Sequence, residues 1–262
     1  MNDFFDMVSL SAATQEAVDA LEQGQEDASL NFAKHVLPID APHTETALFN
    51  LYTEENAVIR FAQWILSSSQ ESGIDHAVEA LSHHCAEFDY ADTPLLTPDS
   101  AASVFQAVNA LFPYAETVIG KHPIDLLIID AQHEYRNGES TAVFSDDRMH
   151  GCVCIYQLQN DCTSAPEHIL LHELGHLLHM NVTGTLTDVP ASFIEYLCRL
   201  GTDCSRLSAG QLQEVFADTF MLAVLSHHPE WGIPIPGIST AALHVCYEYI
   251  WTTLSELLRK IS

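Results

Sequence analysis

The sequence predicts an α+β fold in which a small, mostly antiparallel, three-stranded sheet packs on the helix that carries the candidate site. Three short apolar runs between residues 124 and 156 have the composition of strands, and polar turns join them. Connections of this length favour a meander over parallel strands with crossover helices. Helical periodicity precedes and follows this block, so the two kinds of element are segregated along the chain, as in α+β proteins.

Residues 1–95 are predicted to form an acidic, helical N-terminal region, and residues 96–262 the domain that contains the sheet. The first hundred residues contain 18 acidic side chains and only two basic ones. From Phe49 and Tyr52 onward, apolar residues recur near helical spacing. A polar loop at 90–94 that ends in proline is the expected boundary.

The predicted strands differ in composition from the helical segments around them. Ile124–Ile129 is almost entirely apolar, as in a buried strand, and the runs at 141–144 and 152–156 are rich in Val, Ile, Cys and aromatic residues. Cys152 and Cys154 alternate along the last run and therefore face the same side of the sheet.

Two helix starts are predicted from capping residues. Ser164 with Glu167 three residues later forms a capping box, with Pro166 in the first turn, and Ser208 with Gln211 forms another. The helices expected in the second domain span 99–111, 165–181, 190–200, 209–227 and 240–260.

The helix at 165–181 contains the pattern H-E-x-x-H at residues 172–176. Residues four apart lie about 40° apart around a helix, so the imidazoles of His172 and His176 can converge on one zinc ion. Glu173 lies beside such an ion, where a carboxylate acts as general base and acid in hydrolysis. The opposite face is apolar and should pack into the core through Leu170, Leu171, Leu174, Leu177 and Leu178.

A zinc site of this kind needs a third protein ligand. The metzincin pattern would place Gly at 179 and His at 182, but the chain has His179 and Val182, so this option is excluded. We expect Glu214 to be the third ligand and Asp218, one turn later on the same face, to accept the outer N–H of a ligand imidazole. Asp188 is a weaker alternative ligand, and His179 is expected to line the cleft or lie on the surface.

At these residues the sequence resembles the gluzincin class of zinc metallopeptidases, in which a glutamate on a later helix completes H-E-x-x-H. Glu214, Ala217 and Phe220 resemble, more narrowly, the second motif of the ImmA/IrrE-type metallopeptidases. The resemblance covers roughly residues 98–225. It implies a zincin-like fold, a catalytic Zn²⁺ and a peptide or protein substrate.

Two further features are expected of such a peptidase. The strand at 152–159 is a candidate for an exposed edge on which an extended peptide adds as another strand. A His or Tyr donor to the oxyanion of the transition state is also expected. The candidates, which the sequence does not rank, are His227, His228, His244, Tyr247 and Tyr156.

Composition excludes several classes of partner. With 36 acidic and 9 basic residues the net charge is −27, which repels phosphate backbones and anionic membranes. No apolar stretch approaches the 18 residues of a membrane span, and the N-terminus lacks a basic segment followed by an apolar one. Seven cysteines without a CxxC pair are typical of reduced thiols. We therefore expect a cytoplasmic protein that binds neither nucleic acid nor membrane.

A second function remains open, a non-catalytic domain that is stabilised by zinc and binds other proteins through its acidic helical region. Glu173 argues against it, because a structural zinc site needs no general base. Structural sites also fill the fourth ligand position with a protein atom, whereas catalytic sites keep that position open.

Overall fold

The computed structural model describes residues 49–53, 57, 60, 64, 96–112, 119–120, 122–129, 138–145, 148–156, 165–232 and 245–254. The described elements confirm the α+β class. They follow one another as β1 (Phe49–Thr53), α1 (Pro98–Leu111), β2 (Ile124–Ile129), β3 (Gly138–Ser145), β4 (Arg148–Tyr156), α2 (Pro166–Thr183), α3 (Ala191–Arg199) and α4 (Ala209–Leu225). Short 3₁₀ turns lie at Cys204–Arg206 and Pro229–Trp231, and a π-helical segment lies at Tyr249–Leu254.

The sheet has four strands in the order β1-β2-β4-β3 and is mixed. β2 pairs with β4 in parallel, with Asp125 opposite Cys152, whereas only two residues separate β3 from β4, which requires an antiparallel hairpin. The predicted three-stranded meander is therefore wrong, because the sheet has a fourth strand and β2 pairs with β4 in parallel. Eight residues connect β2 to β3, so the two strands need not be neighbours in the sheet. β4 lies between them. The strand expected as an exposed edge at 152–159 is thus internal over its described residues.

β1 is the second departure from prediction. Phe49 and Tyr52 belong to this strand, although their spacing had suggested a helix. Residues three apart share a face of a helix but point to opposite faces of a strand, so spacing over five residues does not separate the two structures. Farther along the chain, the described residues Ala57, Arg60 and Trp64 are helical, as predicted.

The carboxylate of Asp125 on β2 is fully buried and forms hydrogen bonds with three side chains from the N-terminal region. Asp125 accepts hydrogen bonds from Asn50 Nδ2 (3.1 Å), Arg60 Nε (2.8 Å) and Trp64 Nε1 (2.9 Å). The guanidinium compensates the buried negative charge, which without a partner would be costly. Arg60, one of the two basic residues among the first hundred, therefore neutralises a buried charge of the fold.

The chain forms two compact units. Among the described residues, one unit contains β1 with residues 125–129 and 152–156, and the other contains α1, most of β3 and all later helices. Every residue proposed from the H-E-x-x-H motif and its partners belongs to the second unit. The expected domain boundary stays a prediction, because the loop at 90–94 lies outside the described residues.

The four described α-helices begin and end within two residues of their predicted bounds. Ser208 and Gln211 form the expected reciprocal capping box at the start of α4. The capping box predicted for α2 from Ser164 and Glu167 is wrong, because the N-cap residue of that helix is Ala165, which makes no side-chain cap. Pro166 lies in the first turn, as expected, and Ser164 lies outside the described residues. None of the helices that the structure describes is both long and apolar enough to cross a bilayer.

Candidate metal centre

α2 and α4 meet directly at the H-E-x-x-H motif. A Cβ atom on Gly175 would lie 2.7 Å from Cα and 2.9 Å from the carbonyl oxygen of Ala217, so only glycine permits this backbone approach. On α4, Phe216 and Phe220 are fully buried. On α2, the predicted apolar face is confirmed, since five leucines are fully buried: Leu170, Leu171, Leu174, Leu177 and Leu178. This packing determines which faces of α2 and α4 contact each other.

Three of the predicted ligands converge where the helices meet. His172 Nε2 lies 3.1 Å from His176 Nε2 and 3.2 Å from Glu214 Oε2, and His176 Nε2 lies 3.6 Å from Glu214 Oε1. Three donors at zinc distance and tetrahedral angles are about 3.3 Å apart, so the donor set fits one zinc ion. Among the described residues these three form the group able to hold a metal, and Asp188, the alternative ligand, is not part of it.

The first imidazole is oriented by an acidic residue on α4. His172 Nδ1 donates a hydrogen bond to Asp218 Oδ1 at 2.9 Å, as predicted, and this directs its Nε2 toward Glu214. Burial opposes a charge on the ring, but the hydrogen bonds to Asp218 and Glu214 outweigh it and raise the pKa of His172 to about 10. The surrounding carboxylates therefore favour a positive charge at Nε2, carried by a proton or by a metal ion.

The second imidazole is oriented by a residue whose role the sequence did not indicate. His179 is fully buried rather than surface-exposed, and its Nε2 lies 3.3 Å from Nδ1 of His176. Its ring packs edge-on against Phe216, with centroids 5.8 Å apart. Burial lowers the pKa of both His176 and His179 to about 4, so both rings are neutral near pH 7. If His176 binds a metal through Nε2, its Nδ1 carries the proton, and the neutral ring of His179 offers Nε2 as the acceptor at 3.3 Å.

The motif glutamate is buried next to the ligands without being one of them. Glu173 is 6% exposed, and its Oε2 accepts a hydrogen bond of 2.7 Å from the hydroxyl of Ser140 on β3. Ser140 belongs to no sequence motif, because a lone serine on a strand has no characteristic spacing to other residues. The sheet thus contributes directly to the site.

Three of the expected oxyanion donors lie in the described part of the chain, and each packs on or pairs with a residue outside the three-donor group. The rings of His227 and Tyr247 pack on each other at 5.0 Å, and His228 pairs with a neighbouring glutamate at 2.9 Å. The other two candidates, His244 and the side chain of Tyr156, lie outside the described residues.

Comparison with known proteins identifies no relative. The chain matches no protein family model, no curated protein and no solved structure. The chemistry of the site is therefore inferred from its own residues, which provide two imidazoles and a carboxylate at metal-ligand spacing, with a further carboxylate beside them.

Proposed function

We propose that the chain is a cytoplasmic, zinc-dependent metallopeptidase with a zincin-like fold, of the gluzincin class and related to the ImmA/IrrE-type enzymes. The observation that carries the proposal is the three-donor group of His172, His176 and Glu214 with the buried carboxylate of Glu173 beside it. Three protein ligands leave a fourth position for water, as in catalytic zinc sites, whereas structural sites use four protein ligands.

The residues around the donor group have separate roles in peptide hydrolysis. A bound zinc ion supplies a Lewis acid that polarises the scissile carbonyl and lowers the pKa of water. The carboxylate of Glu173 accepts a proton as the nucleophile forms and delivers it to the nitrogen of the leaving amine. Asp218 and His179 keep the two ligand imidazoles in the tautomer that presents Nε2.

β3 is the strand on which we propose that an extended substrate pairs. It is the last strand in the order β1-β2-β4-β3, so one of its edges has no neighbour among the described strands. It also carries Ser140, whose hydroxyl touches Glu173. A peptide added along this edge would run past the proposed base, with main-chain hydrogen bonds supplying much of the affinity.

The proposal is tested by separating zinc binding from chemistry. Purified protein saturated with zinc should contain about one equivalent per chain by elemental analysis. A peptide library followed by mass spectrometry should reveal cleavage that Glu173→Gln reduces by roughly 10²- to 10⁴-fold with zinc content unchanged. Glu167→Gln makes the same change in the first turn of the same helix and should retain the native rate.

Three results would contradict the proposal. Zinc retained by a variant with both His172→Ala and His176→Ala would remove the ligand assignment. Preferential binding of iron would indicate a different class of metal enzyme. Zinc binding without any cleavage that depends on Glu173 would favour the non-catalytic, zinc-stabilised interaction domain.

A further inference from the structure

We propose that Ser140 is a positioning residue that holds the general base Glu173 in the orientation needed for proton transfer. The inference rests on the proposed function. Its structural basis is the hydrogen bond of 2.7 Å between the Ser140 hydroxyl and Glu173 Oε2, which joins β3 to α2. The two residues are 33 positions apart in the sequence, so the contact exists only in the folded chain.

The contact has the length of an ordinary hydrogen bond from a hydroxyl and is charge-assisted when Glu173 acts as an ionised base. A hydroxyl that donates to an ionised carboxylate typically does so at 2.5–2.7 Å, and such bonds are stronger than those between neutral groups. Glu173 is 6% exposed, so water cannot readily replace the hydroxyl.

Ser140 is well placed to restrict a long side chain. A glutamate has three rotatable side-chain bonds, and a base must be held close to its productive geometry to work at full rate. Ser140 belongs to a β-strand, whose extended backbone sets the direction of its side chain. Ala142, which shares a strand face with Ser140, is buried, whereas Thr141 points to the opposite face.

Activity of zinc-loaded variants provides the first test, with a peptide that the native protein cleaves. Ser140→Ala should lower kcat by roughly 10- to 100-fold and leave KM and zinc content unchanged, because no metal ligand is altered. Ser140→Thr keeps the hydroxyl and should restore most of kcat. Ser103→Ala removes an exposed hydroxyl from α1, outside the proposed site, and should have native kcat.

Crystal structures of the zinc-loaded native protein and the Ser140→Ala variant provide a readout that does not depend on turnover. We expect the Glu173 carboxylate to leave its native position, or to occupy several positions, in Ser140→Ala. A single native position in that variant, or a native kcat for it, would overturn the proposal. A loss of zinc that parallels the loss of rate would also overturn it, since Ser140 would then support the fold of the site and not the base.

The two proposals fail in different ways. If the native protein cleaves no peptide, the proposed peptidase function fails, and the crystal structures still decide whether Ser140 orients Glu173. If the native protein cleaves peptides in a reaction that requires Glu173 but Ser140→Ala is fully active, the peptidase function stands and the role of Ser140 is refuted.

Discussion

One methyl group added at Gly175 should weaken zinc binding although it touches no ligand. The new Cβ would lie 2.7 Å from Cα and 2.9 Å from the carbonyl oxygen of Ala217, whereas ordinary van der Waals contact begins near 3.4 Å. Both atoms belong to the backbone of α4, so no side-chain rotation relieves the overlap. The two helices must separate by about 0.7 Å at this point.

That separation should displace Glu214, the proposed third ligand, away from the two imidazoles. Glu214 precedes Ala217 by less than one turn, and its oxygens lie 3.2 Å and 3.6 Å from the Nε2 atoms of His172 and His176. Tetrahedral zinc requires about 3.3 Å between donors, so a further displacement stretches the site beyond its best geometry. We expect zinc affinity to fall by roughly 10- to 100-fold, as when a ligand loses its support. Overpacking should lower the free energy of unfolding by about 1–3 kcal/mol.

Competition with a fluorescent chelator measures the zinc Kd, and urea unfolding measures stability. Gly210→Ala is the matched control, since Gly210 lies in the first turn of α4 and a Cβ there meets nothing within 4 Å. That control should keep the native Kd and gain about 0.5–1 kcal/mol of stability. A native Kd for Gly175→Ala would refute the view that the contact between α2 and α4 sets the spacing of the ligands.

Three further outcomes are expected. Glu214→Ala should nearly abolish zinc retention against a mild chelator, whereas Asp218→Asn should weaken zinc affinity by roughly 10- to 100-fold; the opposite ranking would exchange their roles. His172, with a pKa raised to about 10, is protonated at pH 8 and must lose that proton when zinc binds. Calorimetry in two buffers of different ionisation enthalpy should therefore show about one proton released per zinc bound. A binding enthalpy that is the same in both buffers would contradict the charge assigned to His172. Duplex DNA should not bind at physiological salt, and submicromolar, salt-dependent binding would refute the electrostatic argument.

Local pattern was sufficient to predict the four described α-helices and to propose His172 and His176 as metal ligands. The capping residues of α4 and the leucine face of α2 depend on spacings of three and four residues, which a sequence displays directly. The same spacing brings His172 and His176 together. Glu214 was proposed because it lies on a capped helix with Asp218 one turn later on the same face, and the family resemblance pointed to the same residue. Its position beside the two imidazoles could be seen only in the folded chain.

Pairing between distant segments was not predicted. The parallel contact of β2 with β4 joins residues 27 positions apart, and no local feature distinguishes it from a meander. His179 was expected at the cleft or surface because its distance along the helix axis excluded it as a ligand. Its buried position depends on packing against α4, where Phe216 contacts the ring edge-on, and burial lowers the pKa of His179 to about 4. Ser140 likewise gains a role only through the placement of β3 beside α2.

The residues that support the proposed metal ligands and the proposed base belong to different parts of the fold. α4 carries Glu214 and Asp218 and packs on α2 at Gly175. β3 contacts Glu173 through the hydroxyl of Ser140. Perturbing the helix contact should therefore change zinc affinity, and perturbing the strand contact should change the rate at constant zinc content. If either change altered both quantities equally, the ligands and the base would form one structural unit and the division of roles proposed for α4 and β3 would be wrong.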